Sequence, residues 1–497
     1  MADAFGDYGY AATDIETMID EKWRLRPAKA QFTRHAQTLR WFNPRGQVMR
    51  GNVFHYKVYL SPPSGSRAED ITTAVGTTGE FPKAREAAFL EMTIPWTDLR
   101  VFWGSVKYSE YADRRTRNSE DAIESIAEKV ITDAELDQAF RVNQSLHQDS
   151  TLTLALVAAV YDTDGTAYTT SSSTTNAFLQ IDNGSISNFT KGQILDIRTA
   201  ATATVRATVV VNDVIVGNDG PPYGSSTVAS IGPGIVVTIA TENADDADLD
   251  AVADNDEICY SGETDDNYHG LPDWLSETQN VYRDADGTEI DRDTTGYHWM
   301  APTIIRANDG GAAVTFDMDT HLRELADILP YKDQTGRQMR NADMNEPGIE
   351  WKEALLGITT VRICNDVVDA ARDSQRFTFA GAMTDKKARR KMFGAIGFDG
   401  VIYHSPLLGS VAFQADTHAR PEKLSIVDPN AFFWIKQGGG PHAIEWLMQG
   451  GSRFQPLRGS NARRTFYQDA AYWSTMALGC DQIGTCAEIQ DIKSSLY

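Results

Sequence analysis

Alternating apolar and polar side chains near the start of the chain predict two β-strands. The first spans residues 51–60 and the second spans residues 86–94. Residues 61–85, which lie between them, are rich in Pro, Gly and other turn-forming residues. One face of the first strand carries four apolar or aromatic side chains, Phe54, Tyr56, Val58 and Leu60. The pattern predicts an extended two-stranded arm, followed by a third strand over residues 99–108.

A helical pattern follows the arm. Asn118 is suited to cap a helix that has Asp121 at its third position. Apolar residues then recur at three- and four-residue spacing as far as Phe140, and the opposite face is acidic. A helix of about 30 residues would be about 45 Å long. An arm and a helix of this length indicate a flattened subunit that completes its packing against neighbours.

The middle of the chain predicts a β-rich unit. Small residues at 165–177 form a linker, and residues 178–266 contain short strand-like runs separated by Gly and Pro. This spacing is typical of a small barrel or sandwich. An acidic stretch at 242–257 lies within the unit. Its Asp spacing does not match a calcium-binding loop, so we interpret it as a solvated loop.

The remainder of the chain predicts a mixed α/β region. Its segments with a recognisable pattern are a helix at 317–329, strands at 357–364 and 400–404, a basic helix at 385–393, an aromatic-rich segment at 466–478 and a strand-like segment at 483–492. Five basic side chains cluster in the basic helix, Lys386, Lys387, Arg389, Arg390 and Lys391. They are candidates for contact with nucleic acid or an acidic neighbour; the alternative is a solvated helix face.

Composition indicates a folded, soluble protein of several structural units. The chain has 497 residues, 41% of them hydrophobic, and a mean hydropathy of −0.37. The start of the sequence is acidic and does not resemble a signal peptide, and the longest apolar run, 152–160, is too short to span a bilayer. Four cysteines do not form a disulfide framework, although Cys480 and Cys486 are near enough in sequence to approach. A reducing cytoplasm is expected.

The charge is strongly acidic and unusual in its make-up. The net charge is −23, with 46 Asp against 23 Glu and 31 Arg against 15 Lys. High Asp with low Lys is expected of proteins that remain hydrated in concentrated salt, where charge repulsion is screened. An ordinary acidic protein from a GC-rich genome is the alternative. Either way, the chain is expected to bind nucleic acid poorly outside any basic patch.

No catalytic or metal-binding motif is found in the sequence. A phosphate loop, a zinc-protease helix, a nucleophile elbow and a dinucleotide fingerprint are all missing. The segment Asp284–Gly287 resembles half of a calcium loop, but such a sequence is more often a turn. The sequence therefore predicts no enzymatic activity, no cofactor and no metal site.

The order of these parts, with the run GIEWKEALLGITTVRI at 348–363 and the closing stretches GSRFQPLRG and DAAYWSTMALGC, resembles the major capsid protein of tailed viruses. That family has the Hong Kong ninety-seven-type fold, an α+β fold. The resemblance implies six parts: an N-terminal arm (1–50), an extended loop (51–115), a peripheral domain with a long spine helix (116–177), a β-barrel-like insertion domain (178–266), a return to the peripheral domain (267–310), and an axial domain with the closing segments (311–497).

The resemblance implies a structural function. The chain would form pentamers and hexamers of an icosahedral shell around packaged double-stranded DNA, would be assembled in the host cytoplasm and would contact no membrane. About 50 residues precede the loop, which implies a separate scaffolding protein; a portal and decoration proteins are further expected partners. Open strand edges indicate that neighbours cover the loop. The candidate contacts are Phe54, Tyr56, Val58, Leu60, Arg67, Lys83 and Arg85.

Two other interpretations stay open at this point. One is a protein nanocompartment of the encapsulin kind, which holds cargo instead of a genome. The other is a β-rich virion adhesin or carbohydrate-binding protein.

Some capsid proteins of this family form a Lys–Asn crosslink from a Lys on the extended loop. Lys83 is the only Lys between Lys57 and Lys107, but no partner Asn can be identified, so no crosslink is predicted.

Overall fold

The computed structural model is rich in β-strands and contains few helices. It describes residues 38–39, 42, 45–49, 51–61, 88–109, 126–162, 168, 176–182, 184–200, 204–215, 233–239, 249–262, 268–292, 300–308, 313–317, 320–325, 328, 355–373, 401–405, 409–436, 445–446, 455–458 and 464–493. The predictions for most of the N-terminal arm, for the loop tip and for the basic helix lie outside these residues. No helix in the described ranges is long and apolar enough to cross a membrane.

The described elements are runs of strands separated by few helices, as in an α+β protein. The strands are β1 (Arg45–Val48), β2 (Val53–Ser61), β3 (Ala88–Pro95), β4 (Arg100–Ser109), β5 (Ala155–Asp162), β6 (Asn176–Asp182), β7 (Ile194–Arg198), β8 (Val205–Ile215), β9 (Gly234–Ile239), β10 (Glu257–Tyr260), β11 (Thr303–Arg306), β12 (Val314–Thr315), β13 (Leu355–Thr359), β14 (Val401–Ser405), β15 (Gly409–Ala415), β16 (Leu424–Val427), β17 (Phe432–Lys436), β18 (Glu445–Trp446), β19 (Gln455–Arg458), β20 (Arg464–Cys480), β21 (Ala487–Gln490) and β22 (Ile492–Lys493). The helices are α1 (Ile126–Leu146), α2 (Leu271–Trp274) and α3 (Val361–Asp373).

The first sheet is built around β20, a strand of 17 residues. β4 pairs antiparallel along one edge of β20, and β17, β18 and β19 pair along the other edge. β1 continues the sheet beyond β17 in parallel. Residues 45–48, which the sequence analysis placed in the N-terminal arm, therefore belong to a sheet of their own subunit.

The predicted arm is present as an antiparallel pair of strands. β2 and β3 pair from Val53 opposite Pro95 to Tyr59 opposite Phe89, with an irregularity before Ser61. The third predicted strand is β4. Alternation predicted β2 and β3 because apolar residues such as Val58, Met92 and Ile94 recur at every second position and are buried. β4 has apolar residues on both faces.

The long helix is described from Ile126 to Leu146, a length of about 31 Å at about 1.5 Å per residue. Within residues 133–140 the predicted pattern holds at Ala134 and Phe140, which are buried, and at Asp133, which is exposed. Its C-terminal end does not follow that pattern, because every residue from 142 to 148 is buried. This end of α1 lies where several parts of the subunit meet.

The predicted β-rich unit is a closed six-stranded barrel. Its strands are ordered β10, β5, β6, β9, β8 and β7, and β10 closes the ring by pairing with both β5 and β7. Its interior is apolar, with side chains such as Leu179, Val209 and Val237 fully buried. The barrel begins at Ala155, not at residue 178 as the sequence analysis placed it. The apolar run at 152–160 supplies its first strand.

A third sheet, of six strands, has the order β11, β21, β16, β13, β15 and β14. α3 follows β13 and buries Ile363 and Val367 against Val411 and Phe413 of β15. The sequence analysis predicted a strand over 357–364, and this is wrong after Thr359. Thr360 accepts a hydrogen bond from the amide of Ile363 through its hydroxyl (3.5 Å), which is the bond that starts a helix.

The strand-like segment predicted at 483–492 is only partly a strand. Residues 483–485 form a 3₁₀ turn, and β21 and β22 follow it on either side of Asp491. Asp491 has a φ of +59°, a left-handed conformation that breaks a strand. β21 then pairs in the third sheet and β22 pairs with β12.

Candidate interaction surfaces and the Asp416 junction

The apolar face of β2 packs into the core of its own subunit. Val58 is 2% exposed, and the rings of Phe54 and Tyr56 lie 5.8 Å and 5.2 Å from the ring of Phe433 in β17. Burial raises the pKa of Tyr56 well above its ordinary value. The sequence analysis assigned these three residues to contacts with neighbours. For Val58 this is corrected, because its side chain is buried in its own subunit. For Phe54 and Tyr56, whose side chains are partly buried, the assignment stays a prediction.

The other predicted contact and patch residues are not placed by the structure. The side chain of Leu60 lies outside the described residues, as do three other loop candidates, Arg67, Lys83 and Arg85. The same holds for the basic cluster, Lys386, Lys387, Arg389, Arg390 and Lys391. Their roles at the loop and in a basic patch therefore stay predictions.

A different set of apolar side chains is exposed, around β4. Trp96 is 62% exposed, Val101 48% and Trp103 66%. Val53, which is 38% exposed, lies beside Trp96, because β2 pairs with the end of β3 and the amide of Trp96 donates to Asn52 O (2.8 Å). We call these four residues the tryptophan face.

The tryptophan face continues onto β20. Trp103 lies directly opposite Trp473, which is half-buried, whereas Phe102 and Gly104 on the other side of β4 face the subunit interior. Among the described residues β4 pairs only with β20, so its other edge carries no ladder. Sequence alternation could not reveal this face, because both faces of β4 carry apolar and aromatic residues.

Asp416 lies in a buried polar junction at the end of α1. Its side chain is 1% exposed, and Oδ2 accepts hydrogen bonds from Thr38 N (2.8 Å), Thr38 Oγ1 (2.6 Å) and Asn143 Nδ2 (3.0 Å). Oδ1 accepts from His418 N (2.7 Å). His147 Nε2 lies 3.6 Å from Oδ2. We call these five residues the Asp416 junction.

The electrostatics of the junction keep Asp416 ionised. Burial alone raises the pKa of this carboxyl, but the positive field of His147, its hydrogen bonding, the field of His418 and the bonds from Thr38 outweigh that effect. The pKa of Asp416 therefore lies well below its usual range. A buried carboxylate is tolerated when neighbouring donors satisfy it, and four donors do so here.

The Asp416 junction is also hydrogen-bonded to the barrel region, through His418. His418 Nδ1 lies 2.8 Å from Asn188 Oδ1, and Asn188 Nδ2 donates to Leu154 O (3.1 Å). At a second contact, the guanidinium of Arg141 in α1 lies 3.7 Å from the ring centre of Tyr260 in β10. Specific contacts with α1 and with the turn after β15 therefore fix the base of the barrel.

The described residues contain no cluster of three or more His, Cys, Asp or Glu placed to hold a metal ion. The four cysteines are free and buried. The segment Asp284–Gly287 is a turn, as interpreted from the sequence: Asp284 Oδ1 accepts from the amides of Asp286 (3.0 Å) and Thr288 (2.9 Å). Gly287, at a φ of +83°, supplies the left-handed residue of this turn.

Gly270 allows the segment before α2 to approach the end of α1. A methyl group at this position would overlap the carbonyl oxygen of Gln148 and would lie 2.9 Å from that of Ser145. Both are backbone atoms of a buried helix end, which cannot rotate away. Only glycine fits here.

Replacing Gly270 with alanine is expected to lower the free energy of unfolding by about 2–3 kcal/mol, the usual effect of overpacking a core. The measurement is urea denaturation of the full chain. Gly262→Ala is the control: no atom lies within 4 Å of the added methyl group, so its loss comes only from the left-handed backbone at a φ of +77°, which costs an alanine about 1–2 kcal/mol. Equal losses in the two variants would contradict the close approach at Gly270.

Comparisons with known proteins give matches only at the level of structure. No family model and no curated protein matches the chain. Among solved structures, the capsid of cyanophage A-1(L) is similar at a TM-score of 0.45 and 10% identity, covering 95% of this chain and 96% of that one. The capsid of a native GTA particle is similar at a TM-score of 0.36 and 10% identity, covering 93% of this chain and 91% of that one. The capsid of Myoviridae phage XM1 is similar at a TM-score of 0.33 and 10% identity, covering 91% of each chain.

All three are capsids. The resemblance of this chain to tailed-virus capsid proteins stays a prediction from its sequence.

Proposed function

We propose that this chain is a structural subunit of a tailed-virus shell, which assembles with copies of itself into pentamers and hexamers around packaged double-stranded DNA. The order of parts along the sequence supports the capsid role. The observation that carries self-association is the tryptophan face. Trp103 and Val101 are exposed on β4, and Trp96 is exposed on the 3₁₀ turn that leads into β4. Exposed large apolar side chains of this kind mark a surface that binds a protein.

Association through this face would be weak for one pair of subunits and strong for a closed shell. An aromatic side chain buries roughly 150–250 Å² when fully covered, so this face alone offers less than the roughly 800 Å² per partner of a stable pair. In a closed assembly each subunit makes several such contacts, and their free energies combine. Arms and loops that reach neighbours would supply the remaining area.

The further parts of the proposal follow from the capsid role. A separate scaffolding protein, a portal and decoration proteins would be partners, and assembly would take place in the host cytoplasm. The excess of Asp over Lys supports a salt-rich environment, in which screening reduces the repulsion between acidic subunits.

Electron microscopy and light scattering of the purified full chain test the proposal, over a range of protein and salt concentrations. The expected result is closed particles with five-fold and six-fold vertices. A monomer under all conditions would refute self-assembly. Native particles should contain double-stranded DNA; particles that contain a protein cargo and no genome would instead support a nanocompartment.

A further inference from the structure

The N-terminal segment is attached to the subunit by groups that lie far from it in sequence. Thr38 and Asp416 are separated by 378 positions, yet the carboxylate accepts from both the amide and the hydroxyl of Thr38. The next amide, that of Leu39, donates to Asn143 Oδ1 (3.1 Å), and Asn143 in turn donates to the same carboxylate oxygen. Two successive backbone amides are thus held by one buried pair of side chains.

The hydrogen bonds at Thr38 have a single consistent direction. The hydroxyl has one proton, and its 2.6 Å bond to Asp416 uses that proton. His147 Nε2, 2.9 Å from the same hydroxyl, must then donate to it. His147 donates to Thr38 and Thr38 donates to Asp416, so this series of hydrogen bonds ends at the carboxylate. Loss of the carboxylate charge would weaken the final acceptor of the series.

The residues after Leu39 are held by packing and by strand pairing. The amide of Phe42 donates to Thr38 O (2.7 Å), and the ring of Phe42 is fully buried at 5.3 Å from that of Phe432. β1 then pairs with β17, and the amide of Met49 continues the ladder to Lys436 O (2.9 Å). The Asp416 junction is therefore the N-terminal end of a continuous line of attachment.

We propose that Asp416 acts as a clasp that fixes the segment beginning at Thr38 to the subunit, through its hydrogen bonds to Thr38 and, by way of Asn143, to Leu39. Two of the hydrogen bonds of the clasp come from the backbone amides of Thr38 and Leu39, so these two bonds do not depend on which side chains stand at the two positions.

Hydrogen exchange of the full chain, measured by mass spectrometry, tests the clasp. In Asp416→Asn the charge is lost and one of the two acceptor oxygens becomes an NH2 donor, so in either orientation at least one of the present donors faces another donor; exchange over residues 38–49 is expected to rise at least tenfold. In Thr38→Val, which removes the hydroxyl and keeps the charge, it should rise at least threefold. Peptides of β8 and β20 should change less than twofold. Asp254→Asn, at an exposed carboxylate of the barrel, is the matched control.

Two results would overturn the proposal. One is unchanged exchange over residues 38–49 in both variants. The other is a rise in Thr38→Val that is equal in all parts of the chain, because a general loosening means that the junction stabilises the whole fold and does not clasp the segment. If Asp416→Asn does not fold, Thr38→Val alone decides between these outcomes.

Discussion

Replacing Trp96 and Trp103 with serine is expected to abolish shell formation while the subunit stays folded. Both side chains are mostly exposed, at 62% and 66%, so their loss should change the free energy of unfolding by less than about 1 kcal/mol. At an interface the same change removes two aromatic contacts, each worth about 2 kcal/mol or more, from every subunit contact. The measurement is particle yield by light scattering and electron microscopy, with circular dichroism as the check of folding.

The control for this prediction is Val361→Ser, at an exposed apolar side chain of α3 that lies away from the tryptophan face. It should assemble as the wild type does. Shells of normal yield from the double tryptophan variant would mean that the tryptophan face is not an interface. Assembly through other surfaces would then have to be considered.

The stability of the subunit is expected to fall steeply below pH 4, in part through Asp416. Its pKa is depressed in the folded state, whereas an Asp in an unfolded chain has a pKa of about 3.9. The folded state therefore gains stability from this group above about pH 4 and loses it as the pH falls toward the folded pKa. Through this one group, the free energy of unfolding changes by up to about 1.4 kcal/mol per pH unit.

Asp416→Asn removes this contribution. At pH 7 the variant should be less stable by about 3–5 kcal/mol, the usual effect of breaking a buried charged network. Between pH 4 and pH 2 the difference from the wild type should shrink. His147 faces the carboxylate from α1 and His418 faces it from the same turn, and both residues are present in the two proteins. A difference that stays constant with pH would contradict the depressed pKa.

The sequence predicted most of the β-structure correctly, for a local reason. Strands β2, β3 and β4 and the barrel strands after residue 176 each have a periodic burial pattern or clear turn residues at their ends. The run at 152–160 was missed as a barrel strand because a short apolar run has no period that separates a strand from a buried helix. The start of α3 was missed although Thr360 is a good N-cap residue, because β-branched residues continue past it.

The surfaces and the junction could not be predicted in the same way. Alternation showed that Phe54, Tyr56 and Val58 share a face, but it could not show that Phe433 lies against them in the same chain. The partners of Asp416 come from Thr38, α1 and its own turn, up to 378 positions away. Nothing in the local sequence distinguishes this Asp from the other 45. Such contacts depend on the tertiary fold alone.

The pairing of β4 with β20 determines when a newly synthesised subunit can form its first sheet. β4 pairs with β20 from Arg100 opposite Met476 to Ser109 opposite Tyr467, so the first sheet closes only after residues 464–480 have been synthesised. At about 5–20 residues per second, residue 480 follows residue 109 by roughly 20 to 75 seconds. During that time β4 lacks the strand that orders it, and Trp473 is not yet beside Trp103. Nascent chains on neighbouring ribosomes therefore cannot associate through the completed tryptophan face before β20 has left the ribosome.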